Sequence, residues 1–277
     1  MKRNTKLTTI AFILAFISSG LLTAQDEPAP VLPAFETIQL VDNQTTFNPY
    51  KGEWIVEIQH RFSQIKEIND LFGIFGSANT RLGVNYGVTD KIMVGLGTTR
   101  TFMLQDLRWK YSILTQNSKM PVSLSYSGNV VLDARPDKYF GPEEDYKFVY
   151  RVSTLNQLIV STRIGEKVSL QVAPTFVWFN AVPEGYNNAN AAISFGGRFQ
   201  VLGFNAIICE YTQPLLQADQ EVYPNLALGI EIGTSTHSFR VFASSSNSII
   251  MNQGIAFNDK NPLDGDLQFG FNISIRF

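Results

Sequence analysis

The stretch Asp266–Phe277, "DLQFGFNISIRF", decides the fold. Leu267, Phe269, Phe271, Ile273, Ile275 and Phe277 alternate with Gln268, Gly270, Asn272, Ser274 and Arg276. A period of two places the apolar set on one face of a β-strand and the polar set on the other. Lipid is the cover this pattern predicts. The free edge then demands closure against the first strand, because hydrocarbon offers no partner for unpaired N–H and C=O groups.

Working back from that strand, period-two segments recur across most of the chain. They fall near Glu53–Phe62, Thr80–Val88, Lys91–Arg100, Leu104–Thr115, Pro121–Asp133 and Lys147–Ile164. Six more lie near Lys167–Asn180, Ala191–Gln200, Phe204–Gln213, Pro224–Thr234, Ser238–Ser246 and Asp266–Phe277. The links between them alternate long and short, with only the brief Thr101–Met103 link breaking the pattern. An even strand number with short turns on one rim and long loops on the other predicts an antiparallel transmembrane β-barrel. The expected domain is an all-β barrel of about twelve strands over residues 51–277, with short periplasmic turns and longer extracellular loops.

A soluble sandwich also alternates, but it gives no reason for aromatics at the ends of the apolar faces. In "KVSLQVAPTFVWFN" the outward set is Val168, Leu170, Val172, Pro174, Phe176 and Trp178. Trp178, Tyr86, Tyr111 and Tyr211 stand toward strand ends, where interfacial girdles belong. The opposite faces carry Gly, Asn, Ser, Gln and charges, which is wrong for a dry core.

The N-terminal region fits export. Lys2, Arg3 and Lys6 precede an apolar run from Leu7 to Leu22, and Ala24 suits a signal peptidase, so residues 1–24 are expected to be a cleaved signal peptide. Residues 25–50, with Pro28, Pro30 and Pro33, are expected to form a periplasmic tether. A net charge of −2 argues against a nucleic-acid partner. The lone Cys209 has no second cysteine in the chain, so there is no disulfide framework.

Several stretches share one likeness: "GEWIVEIQHRF", "FGIFGSANTRLGVNYGVTDKIMVGLG", "LRWKYSIL", "FVYRVSTLNQLIVSTRIGEKVSLQVAPTF" and the terminal strand. Together they resemble a family of bacterial outer-membrane β-barrel proteins classed as a domain of unknown function, over about Phe35 to Phe277. The resemblance implies a membrane barrel in the cell outer membrane and brings no catalytic residues with it. The terminal strand also resembles the signal read by the barrel-assembly machinery, which makes Phe277 the candidate assembly residue. Outer-membrane lipids and that machinery are the implied partners of a monomeric barrel.

Alternation gives the candidate lumen lining. The early strands offer Glu57, Arg61, Arg81, Asp106, Arg108 and Lys110. The later ones offer Arg151, Arg163, Arg198, Glu210, Glu231, Arg240 and Arg276. With Asp133 added, nine basic residues stand against five acidic ones. Two readings follow. The expected function is a narrow or gated passage for small solutes, with a preference for anions of the kind that rings of Arg or Lys confer. The alternative is a structural or binding barrel whose filled lumen is braced by pairs such as Glu231 with Arg240, which a two-residue turn sets opposite each other.

Catalysis is not expected. The two histidines, His60 and His237, fall at a strand end and in a turn, with no nucleophile turn nearby. No cofactor or metal is implied, since the acidic run "DKNPLDGD" lacks EF-hand spacing. The apolar piece "INDLFGIFG" after the first strand, with Leu71, Phe72, Ile74 and Phe75, is expected to fold over the barrel mouth or rest at the membrane surface.

Overall fold

The computed structural model describes residues 29–65 and 73–277. The expected signal peptide lies outside them, as do Leu71 and Phe72 of the apolar piece. Twelve strands are present: β1 (Trp54–Gln64), β2 (Asn79–Thr89), β3 (Ile92–Thr99), β4 (Leu104–Leu114), β5 (Ser123–Asp133) and β6 (Val152–Ile164). β7 (Val168–Phe179), β8 (Ala189–Leu202), β9 (Asn205–Pro214), β10 (Asn225–Gly233), β11 (His237–Ser244) and β12 (Gln268–Arg276) complete them. Each pairs antiparallel with its sequence neighbours, and β12 closes on β1, so the sheet has no edge. At the seam Ile58 faces Ile273 and His60 faces Phe271. Trp54 and Phe277 exchange backbone hydrogen bonds of 2.9 and 3.1 Å, which carries pairing to the last residue.

Burial alternates as the period of two requires. Along β7, Ser169, Gln171, Ala173, Thr175 and Val177 are buried while Leu170, Pro174, Phe176 and Trp178 are exposed. The apolar face therefore points outward, the inverse of a soluble sandwich. Trp54 and Tyr86 pack at 4.5 Å between ring centroids near the short-turn rim, and Trp178 stands toward the long-loop rim. No helix among the described residues is long and apolar enough to cross a membrane; strands do the crossing here.

Three local expectations differ from the structure. β6 begins at Val152 rather than Lys147, because Phe148–Arg151 form a 3-10 turn. A helix, α1 (Met251–Phe257), sits in the last long loop. It spans under two turns and contains Gly254, so it leaves no periodic signature in the sequence.

The third difference concerns the expected tether. Only its first described part, Ala29–Pro33, runs along the short-turn rim, where Pro30 bridges to Asn117. Beyond it the chain enters the barrel. Phe35, Ile38, Leu40 and Val41 are essentially inaccessible to solvent, and Leu40 N–H to Asn43 O and Thr45 N–H to Ile38 O, both 2.9 Å, close a small hairpin. The reason is the hydrophobic effect: a solvated tether leaves these side chains and Phe47 in water, and the lumen does not. Residues 34–48 are a plug.

Candidate functional site: a plugged lumen

The inner wall carries one large ionic cluster, whose Arg108 also reaches Gln39 Oε1 of the plug at 3.5 Å. Arg81 on β2 donates to both carboxylate oxygens of Asp106 at 2.8 Å and lies 3.4 Å from Glu57. Arg108 reaches Asp106 at 3.0 Å and Glu57 at 3.5 Å. The Gly-dotted hairpin makes this possible. A Cβ on Gly97 or on Gly83 would collide with the Arg81 guanidinium. Glycine here clears space for a flat-lying arginine. On the far wall Arg198 pairs with Glu231 at 2.8 Å.

The plug engages a second set of wall residues. Glu210 on β9 accepts hydrogen bonds from the consecutive amides of Val41, Asp42 and Asn43 at 3.0–3.2 Å. Successive N–H groups aimed at one point form an anion nest, and a wall carboxylate fills it. Asp42 itself binds Arg61 at 2.5 Å and Asn225 at 2.9 Å. Lys110 donates to the carbonyls of Ile38, Thr45 and Phe47 at 2.8–3.0 Å. Arg240 donates to Thr37 Oγ1 and to the carbonyls of Gln39 and Leu40. Asn272 reaches Val41 O, Gln171 reaches Gln44 O, and Gln157 reaches Asn43 Oδ1.

Apolar contact supports this polar dock. Phe35, Leu40 and Val41 cluster with Ile208, Ala227 and Phe242, and Ile38 and Phe47 with Ile55 and Met93.

Residues 35–277 match the family model described as a membrane bound beta barrel domain, DUF5777. The chain belongs to that family. No curated protein is matched. Among solved structures the DUF5777 barrel is similar to the NanC porin, at 9% identity and a TM-score of 0.53, over 81% of this chain and 98% of that one. An outer-membrane channel from Pseudomonas putida F1 has 10% identity and a TM-score of 0.47, over 83% and 97%. Phospholipase A from the outer membrane of Escherichia coli has 12% identity and a TM-score of 0.43, over 88% and 98%. At these identities only the porin's likeness bears on the fold. It is that of a membrane-bound barrel of the outer-membrane type, set in lipid.

In this DUF5777 barrel the candidate lining residues fall into three places. Glu57, Arg61, Arg81, Asp106, Arg108, Lys110, Arg163, Arg198, Glu210, Glu231 and Arg240 are buried on the inner wall. Arg276 is half-buried at the short-turn rim, held by Glu53 at 3.2 Å and by Glu36 O at 3.1 Å. Arg151 belongs to the long-loop rim, where it donates to Asp133 O at 2.9 Å and pairs with Asp137. The expected Glu231–Arg240 pair has the right register but does not form. Glu231 turns to Arg198, while Arg240 reaches inward to the plug.

The long-loop rim of the DUF5777 barrel is closed as well. Ile250 packs on Leu104 and Val131, and Ile255 and Ala256 of α1 pack on Leu155, Val177, Phe179 and Ala192. Between α1 and the plug remains a cavity of about 30 Å³ lined by Gln39, Asp42, Arg108, Asn129 and Met251, among others. Below the plug, at the short-turn rim, a cavity of about 260 Å³ lies between Thr37, Phe204, Glu231, His237 and Arg276. His60 faces outward and stacks on Phe271 at 5.1 Å. In the acidic loop, Asn261 bonds Asp264 and Asp266, and Gln64 also bonds Asp266.

Sequence reasoning missed the plug residues, although Phe35, Ile38, Leu40 and Val41 were the available signal: four large apolar side chains in a stretch read as solvated.

Proposed function

We propose that this barrel is a gated passage for small solutes, closed in the described state by its own N-terminal segment and favouring anions when that segment leaves. One observation carries the reading. Among the described residues, every hydrogen-bond partner of the buried Lys110 ammonium is a plug carbonyl. Arg240 depends on plug oxygens in the same way, apart from Ser274 on β12. A wall evolved only as a permanent brace has no need to lend its cations to a detachable segment, since opposite-charge pairs within the sheet serve that end. Arg81 with Asp106 and Arg198 with Glu231 do so here.

The charge balance supports the anion preference. Seven basic strand residues are buried in the wall, Arg61, Arg81, Arg108, Lys110, Arg163, Arg198 and Arg240, against five acidic ones, Glu57, Asp106, Asp133, Glu210 and Glu231. Departure of the plug takes Asp42 away as well. Cations bared in a narrow, poorly screened path attract counter-ions. By the rule for such barrels the short turns face the periplasm, so the plug enters from the periplasmic side of an outer-membrane monomer exported by a cleaved signal. The reading assigns no enzymatic step, metal or cofactor. The filled lumen favours a second reading, a permanently closed structural barrel.

Planar-bilayer recording separates the two. A chain lacking both 34–48 and the α1 loop 248–257 is expected to give discrete conductance steps with a reversal potential shifted toward the anion. Lys110→Ser with Arg240→Ser should reduce that shift. A folded but silent barrel would establish the structural reading instead.

A further inference from the structure

Plug and α1 loop close opposite ends of one lumen, yet they are anchored by different physics. The plug adds charge to its apolar contacts: a carboxylate in its amide nest, and Arg61, Lys110 and Arg240 on its oxygens. The loop from Asn247 to Phe257, "NSIIMNQGIAF", carries no charged residue. Ile249, Ile250, Ile255 and Ala256 are buried. Phe257 packs edge-on against Phe179 and Tyr186, each at 5.0 Å.

The wall beneath is matched to it. Leu104, Val131, Leu155, Val177 and Phe179 are apolar residues at inward positions, and they give the loop an apolar bed. The loop is also pinned on opposite sides of the mouth. Asn79 on β2 donates to Asn247 O at 3.0 Å, and Asn258 donates to Tyr223 O at 3.1 Å. Asn252, fully buried, is held by Asn129 at 2.9 Å and donates to Ser153 at 3.2 Å.

None of these anchors is a plug residue. The plug and the loop meet across the 30 Å³ cavity, and the wall side chain of Gln157 touches both: its Nε2 lies 2.9 Å from Asn43 Oδ1 and 3.8 Å from Met251 Sδ.

We infer that the α1 loop is a second, apolar gate in series with the charged plug, so that withdrawing the plug alone leaves the passage shut. This rests on the passage reading above. Apolar burial is indifferent to the loss of a distant ion pair, so each gate keeps its seat when the other opens. An influence that draws out the plug from the short-turn side does not by itself admit solute from the long-loop side. The second gate answers to a different class of event: apolar or interfacial contact at the long-loop rim.

The experiment compares four purified barrels in planar bilayers, each first checked for heat-modifiable migration as a folded barrel: the full chain, the 34–48 deletion, the 248–257 deletion and the double deletion. Conductance steps confined to the double deletion are expected. If the 34–48 deletion alone conducts as well as the double, the second gate is refuted while the passage stands. If the folded double deletion is silent, the passage itself is refuted.

A second measurement avoids the deletions. In a Cys209→Ser background, Ser127→Cys places one thiol at the cavity between the gates. A charged, membrane-impermeant methanethiosulfonate applied to whole cells should leave it unlabelled, and Ile255→Glu should abolish that protection. Ready labelling with Ile255 in place would refute the gate.

Discussion

The carboxylate of Glu210 sits in a nest formed by the amides of Val41, Asp42 and Asn43, a contact spanning more than 160 residues of sequence. Among the described residues it is the one place where a wall anion holds plug backbone, and it orients the hairpin tip. Hydrogen bonds to a charged acceptor contribute about 1.5–3 kcal/mol each. Glu210→Gln keeps the size but turns a donor toward amides that need an acceptor. Hydrogen exchange at residues 41–43 should speed up by roughly ten- to a hundredfold, the factor that about 1.4–2.8 kcal/mol implies. Unchanged protection would show that the Glu210 carboxylate does not hold the hairpin tip.

Lys110 offers a test of who depends on whom. Its ammonium is buried and its partners are plug carbonyls. Lys110→Met leaves those carbonyls without their donor, so it should lower the unfolding temperature of the full chain. In a chain without 34–48 the same change removes a cation that has already lost its plug partners and should be close to neutral. The two effects must therefore differ in sign or size, a coupling that a double-mutant cycle on unfolding midpoints reads directly. Equal effects in both backgrounds would mean that Lys110 finds other partners when the plug is absent.

The barrel was legible because its two faces are written into alternate residues. "DLQFGFNISIRF" and "KVSLQVAPTFVWFN" each state which side meets lipid, and all twelve strands follow from that rule. The lumen was harder to read for a specific reason. Alternation tells which residues point inward but not how far a long side chain reaches once there. Arg240 lies opposite Glu231 in the ladder and still serves Gln39 O, about 200 positions away in sequence. The plug itself has no period to display: it is a hairpin tip and a few apolar anchors whose partners are scattered over at least nine strands.

The hairpin glycines were visible as a pattern, and their purpose becomes clear only against Arg81. Gly97→Val puts branched methyls where the Arg81 guanidinium now lies. Expelling it parts a buried pair with Asp106, and breaking such a pair costs about 3–5 kcal/mol. The substitution should lower the yield of folded barrel and its unfolding temperature. Ala in the place of Arg81 on top of Gly97→Val should add little further loss. If the single change is silent, Arg81 has room that the packing does not reveal.

Val172 and Gln171 are adjacent on β7 and point to opposite faces. An arginine on the lipid face near mid-depth costs about 2–4 kcal/mol, so Val172→Arg should be poorly tolerated whether or not the plug is present. Gln171→Arg is different. Gln171 donates to Gln44 O at 3.1 Å and its stem lies over Gly196, so a larger charged side chain there should disturb the full chain. Its penalty should fall when 34–48 is removed and the lumen can hydrate the charge. A penalty for Gln171→Arg that persists in the unplugged barrel would point to wall packing rather than the plug.

Phe277 has an exposed side chain, yet its backbone N–H and C=O pair with Trp54 at the barrel seam. Those backbone bonds survive any side-chain change. The ring itself rests on the outer face at the short-turn rim, where burial against protein is small and the stabilisation lost on its removal is correspondingly small. A role in assembly therefore predicts a split result. Phe277→Ser should lower the amount of barrel delivered to the outer membrane, while the barrels that do insert keep the unfolding temperature of the parent. If delivery and stability fall together, the ring is a structural girdle residue. If neither changes, the aromatic end of "DLQFGFNISIRF" plays no part in assembly.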